Sequence, residues 1–120
     1  DKGAAIMLIG SIARQLRLLW QVRLLYLLRV LPGNLDHVSA AVAAKLPAQQ
    51  SILDAVRGRP WLLGKFSDQA RRFSDRDLAR ALDRVYQADL QLKGLGPRHD
   101  DRTIVELLVV ELCERDRDQS

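Results

Sequence analysis

Side chains able to do covalent or acid–base chemistry are few in this chain and far apart. It holds one cysteine, Cys113, and two histidines, His37 and His99, in separate segments. A nucleophile must lie within reach of a base, and acid–base work needs paired titratable groups, and neither arrangement is recognisable here. Metal-site spacings of the CxxC and HExxH kinds are missing. The nearest approach to a phosphate loop is "GRPWLLGKF", residues 58–66. Five residues separate Gly58 from Gly64 where a P-loop has four, and Phe66 stands where a Mg²⁺-binding hydroxyl is needed. Trp61 and Leu62 would also obstruct the nest of backbone N–H groups. The expectation is a protein without catalytic residues, cofactor or metal. Cys113, between Leu112 and Glu114 in an apolar run, reads as a small packed side chain.

Charged groups in apolar settings offer a different chemistry. Asp89 falls among Leu78, Leu82, Val85 and Leu92, which recur at helical spacing. A lone carboxylate is costly to bury, so a structural ion pair is expected, with Arg17 the first candidate partner. Arg57, Arg59, Lys65, Arg71 and Arg72 make a second, basic group. Of these, Arg57, Arg59, Arg71 and Arg72 are candidate phosphate contacts. The segments "DHVSAAVAAKL" and "RPWLLGKFSDQARRF" around them could form a helix-turn-helix, which makes a DNA-binding domain the alternative reading. Its recognition helix would open on "PWLLG", poor equipment for reading base edges.

The elements that must position these groups are helices. Leu and Ala dominate, while β-branched and aromatic runs are scarce, which favours helix over strand. The first helix is predicted over residues 3–31, stopped by Pro32 and Gly33. A second runs from Asp36, as N-cap, to Leu46, and a short one with Ile52, Leu53 and Val56 lies between Pro47 and Gly58. Pro60 suits the first turn of a helix reaching Phe73. Ser74 opens a capping-box-like S-x-x-D and a helix to Lys93, halted by Gly94. "GLGPRHD" is a loop, and the last helix covers about Asp101 to Arg115. The predicted fold is all-α, one compact bundle of about five to six helices over residues 1–120, since a chain of this length supports one core.

The first helix contains "RQLRLLWQVRLLYLLRVL", residues 14–31, in which arginines stud an apolar run. A membrane span would be almost free of charge, and a surface-bound helix would gather its charge on one face. A signal peptide would be shorter, uncharged in its apolar part and followed by small residues. None fits. A helix apolar nearly all round must be covered nearly all round, partly by other protein. The expected contact residues are Trp20, Leu24 and Leu27, with Leu108 on the similarly apolar last helix. A net charge of +4 permits an acidic partner, and a single cysteine precludes an intrachain disulfide, so the expected setting is cytoplasmic.

In order, "LIGSIARQLRLLWQVR", "VAAKL", "RPWLLGKFSDQARRFSDRDLARALDRVYQADLQLKG" and "TIVELLVVELC" resemble the C-terminal domain of the bacterial DNA polymerase III delta subunit, part of the clamp loader. The most specific pieces are "ARQLRLL" (13–19), "QARRFS" (69–74) and "ADLQLKG" (88–94). The resemblance implies a helical collar domain that assembles beside the equivalent domains of the gamma/tau and delta-prime subunits. It also implies that contact with the sliding clamp belongs to an N-terminal AAA+-type part outside this sequence, so that the chain is expected to be a piece of a longer protein. Where the family usually has a few residues before the "RPWLLGK" helix, this chain has "PAQQSILDAVRG", a departure that bears on packing over residues 47–58.

Overall fold

One long helix, α1 (Lys2–Leu27), opens the chain. In this computed structural model the backbone is described for residues 2–95 and 100–118, and side chains for 3–95 and 100–112. His99 and the side chain of Cys113 lie outside the described residues. Those residues form six helices and no strand, the all-α architecture expected from composition. Their contacts divide them into two units. One comprises residues 1–16 and 75–120, the other residues 17–74.

α1 ends four residues before the predicted Leu31. Arg29 adopts a left-handed conformation, φ 62°. Its N–H donates to Tyr26 O (3.0 Å) and that of Val30 to Leu25 O (2.9 Å). These paired bonds are a Schellman motif, which closes off the last carbonyls of the helix. Glycine is the usual residue at that position, so an arginine there gives no sequence signal for the stop.

In the first unit α1 buries Ala5, Ile9, Ala13 and Leu16. α5 (Asp75–Leu92) buries Leu78, Ala81, Val85, Ala88 and Leu92, at steps of three and four that place them on one face. Leu82, predicted in that stripe, is only half-buried. The seam runs through Ala81 and Ala88 instead, where a small side chain allows close approach. α5 starts with Asp75 and Asp77, carboxylates where the helix dipole favours them. It stops as predicted at Gly94, φ 82°. Gly94 N–H donates to Gln91 O (3.0 Å) and Leu95 N–H to Leu90 O (2.9 Å), the same motif with its usual residue. α6 (Asp101–Asp118) is capped by Asp100, whose Oδ1 accepts from Thr103 N–H at 2.7 Å. α6 packs on α5 through Ile104 and Leu108, and Arg84 Nε donates to Glu111 Oε2 at 2.9 Å between the two helices.

The second unit comprises the end of α1, the single-turn α2 (Ala40–Ala43), α3 (Ile52–Val56) and α4 (Trp61–Ala70). The predicted helix from Asp36 to Leu46 shrinks to α2. Ser39 caps it, accepting from Val42 N–H at 3.2 Å, and α2 buries none of its own residues. Asp36 is not a cap. Its N–H donates to Asn34 Oδ1 at 2.8 Å, in a turn. α3 forms where predicted, with Ser51 Oγ accepting from Leu53 N–H. α4 ends at Ala70, short of Phe73. The core of this unit is Leu18, Leu19, Val22, Leu25, Leu31, Leu46, Ile52, Val56, Phe66, Ala70 and Phe73.

Candidate protein-contact surface

Within the second unit, three kinds of residue divide the circumference of α1. Leu18, Leu19, Val22 and Leu25 face the core. Gln21 and Arg23 hold neighbouring backbone. The Gln21 amide is 3 % exposed; its Nε2 donates to Gln50 O at 3.1 Å and its Oε1 accepts from Ile52 N–H at 2.7 Å. One side chain therefore satisfies a donor and an acceptor of the segment entering α3, groups that burial would otherwise leave costly. Gln50 itself sits at φ 57°. Arg23 Nη1 donates to Phe73 O at 2.8 Å and Ala70 O at 3.3 Å. It holds the last carbonyl of α4, which also accepts from Phe73 N–H at 3.2 Å, and a carbonyl of the turn that follows, where the negative end of the helix dipole favours a cation.

What remains of α1 in this unit, apart from exposed Tyr26, is a stripe of Arg17, Trp20, Leu24 and Leu27, at steps of three, four and three. Such spacing keeps them on one face. Trp20 is 40 % exposed, Leu24 half-buried, and Leu27 78 % exposed. The three α1 residues expected to meet another protein thus lie on one face, Trp20 and Leu27 open to solvent and Leu24 partly covered. Leu108, the fourth, does not join them. It is 3 % exposed and belongs to the core of its own unit, while Leu107, Val109 and Val110 beside it face outward. In the unbroken run "TIVELLVVELC" periodicity could not tell which stripe faces inward.

Asp89, expected to meet Arg17, has a partner within its own helix. Asp89 Oδ2 accepts from Lys93 Nζ at 2.8 Å, one turn along α5, and the carboxylate side chain is 31 % exposed. Because the α5 seam passes through Ala88, Asp89 lies at its edge, and a lysine of its own helix suffices. Arg17 is exposed.

The basic group of the second unit is open to solvent throughout. Arg57 pairs with Asp54 (3.1 Å) and Arg71 with Asp68 (3.6 Å), both exposed contacts of one helical turn. Arg59, Lys65 and Arg72 are exposed and enter no ion pair among the described residues. Trp61, Lys65 and Asp68 follow one another at steps of four and three on the outer face of α4, Arg72 lies in the turn after it, and Trp61 is 70 % exposed. An open concavity of about 360 Å³ in this unit is lined by Leu35, Asp36, Val38, Ala43, Leu53, Val56 and Arg57. Its polar groups are one carboxylate and a guanidinium already bound to Asp54.

Among the described residues no three metal-ligating side chains come together, and no helix is long and apolar enough to cross a membrane. No protein-family model matches the chain, and no curated protein or solved structure shows significant similarity to it.

Proposed function

We propose that this chain is a non-catalytic assembly module, the collar domain of a DNA polymerase III delta subunit. In this role it would pack against the gamma/tau and delta-prime subunits of the clamp loader in the cytoplasm. The observation that carries the reading is the stripe in which Trp20 and Leu27 are exposed on either side of half-buried Leu24. A large tryptophan and two leucines aligned on one helix face form the kind of patch that a soluble surface keeps for a partner. The ordered motifs of the sequence supply the identity of that partner. Reconstitution with gamma/tau and delta-prime subunits tests it. Trp20→Ala and Leu27→Asp should weaken complex formation at least tenfold, the usual effect of removing a buried apolar anchor. Undiminished assembly by both variants would remove the stripe from the interface.

A second reading is favoured by the outer face of α4. An exposed indole followed one turn later by Lys65, with Arg72 in the turn after α4, both without an ion pair among the described residues, offers a surface for base stacking and two phosphate contacts. A helix-turn-helix is a poor vehicle for it, since α2 is one turn long. The fitting ligand is single-stranded and its recognition non-specific. A labelled oligothymidylate should bind in a salt-dependent manner, and Trp61→Ala and Lys65→Ala should each reduce that binding. Binding that survives both variants would exclude this face.

A further inference from the structure

Between α1 and α3 the second unit carries a segment fixed at both ends and loose between them. Leu31 and Leu46 are buried, whereas none of residues 32–45 is. Outside these anchors stand Arg29 at φ 62° and Gln50 at φ 57°, the non-glycine residues with left-handed backbone among those described. Such a conformation costs free energy and persists where its surroundings fix it. Arg29 is held by the motif that ends α1, and Gln50 by the Gln21 amide that binds its carbonyl. Neither end is free to shift. The middle is tied down by a single turn of helix that buries nothing, the low density of apolar contact that marks a segment of low local stability.

This segment borders the open concavity of about 360 Å³. Leu35, Val38 and Ala43 line it from the segment, and Leu53 and Val56 from α3. Each side also contributes one charge, of opposite sign. Asp36 enters no ion pair among the described residues, and Arg57 is bound to Asp54 at 3.1 Å in an exposed contact. An exposed pair one helical turn apart is weak, so Arg57 can exchange Asp54 for Asp36 at little cost.

We propose that residues 32–45 are a strap that closes onto α3, bringing Leu35 and Val38 against Leu53 and Val56 while Arg57 passes from Asp54 to Asp36. Removing apolar surface from water drives closure, and ordering of the segment opposes it. For so few side chains the two effects are of similar size. Open and closed forms therefore coexist, and the partner of Arg57 sets the balance between them.

The test is the rate at which a maleimide labels a single thiol in Cys113→Ser protein. Ala43→Cys places the thiol on the wall of the concavity, and Ala44→Cys on the exposed surface beside it. Labelling at 43 should be about twofold slower than at 44, as for a closed form holding half the molecules. Asp54→Asn frees Arg57 and should slow labelling at 43 about twofold. Asp36→Asn and Arg57→Gln each remove the closing pair and should speed it about 1.5-fold. These are the changes that a threefold move in an even equilibrium produces, the scale of an exposed ion pair. Hydrogen exchange at the Ile52 amide, which donates to Gln21 Oε1, checks that α3 stays in place in every variant. Equal labelling at 43 and 44 overturns the strap. So do rates at 43 that move with none of the charge variants, or that move in the same direction for Asp54→Asn and Asp36→Asn.

Discussion

Replacing Arg23 with methionine should destabilise the protein by about 2 kcal/mol. The guanidinium donates to two carbonyls at the end of α4, Phe73 O at 2.8 Å and Ala70 O at 3.3 Å. A hydrogen bond from a charged donor contributes roughly 1.5–3 kcal/mol net, and a cation at a helix C-terminus roughly 0.3–1 kcal/mol, up to about 2 when partly buried. Both figures describe one charge meeting one set of carbonyls, so they overlap and are not summed. Methionine preserves much of the aliphatic stem, which isolates the loss of the polar group. With an unfolding entropy of roughly 2.1 cal/mol/K per residue, a chain of this length loses about 8 °C in Tm. Arg23→Lys keeps the charge but not the fork and should lose about half as much. Arg14→Met and Arg17→Met, both at exposed positions, should stay within about 0.5 kcal/mol of the parent. Thermal and urea unfolding followed by circular dichroism measure all four. A shift under 2 °C for Arg23→Met, or an equal shift for Arg17→Met, would refute the assignment of Arg23 as the helix cap.

Four further substitutions probe the same framework. Gln21→Ala removes both bonds to the segment entering α3 and should cost about 2–4 kcal/mol, with the Ile52 amide losing protection from hydrogen exchange before the α1 core does. Unchanged protection at Ile52 would show that the amide is not the clasp. Arg29→Gly should raise stability by about 0.5–1 kcal/mol, because glycine adopts the φ of 62° without the steric cost an arginine bears. A lower Tm would mean that the Arg29 side chain makes a contribution larger than that cost. Leu108→Ala should cost about 2–4 kcal/mol and Leu107→Ala less than 1 kcal/mol, as their exposures of 3 % and 46 % require. A reversed order in the melts would place the inward face of α6 on the wrong stripe.

These perturbations mark where the sequence was readable and where it was not. Helix ends announced by special residues were legible: Gly94 stops α5 as predicted, while Arg29 stops α1 by the same motif in a residue that gives no warning. Faces were legible where polar and apolar residues alternate. They were not where apolar residues fall on several faces, as over residues 103–113 of α6, nor where alanines form the seam, as in α5. The arginines of residues 14–31 show the same limit for the site. All four stand in the same apolar run, and only the tertiary arrangement assigns Arg23 to the end of α4, Arg29 to a turn, and Arg14 and Arg17 to solvent. Sequence reasoning gave the structural role to Arg17, because a buried carboxylate was the only anionic target it could name. The target in the structure is a pair of backbone carbonyls, which every residue carries and no sequence pattern marks. That change of target leaves Arg17 exposed, one turn before Trp20.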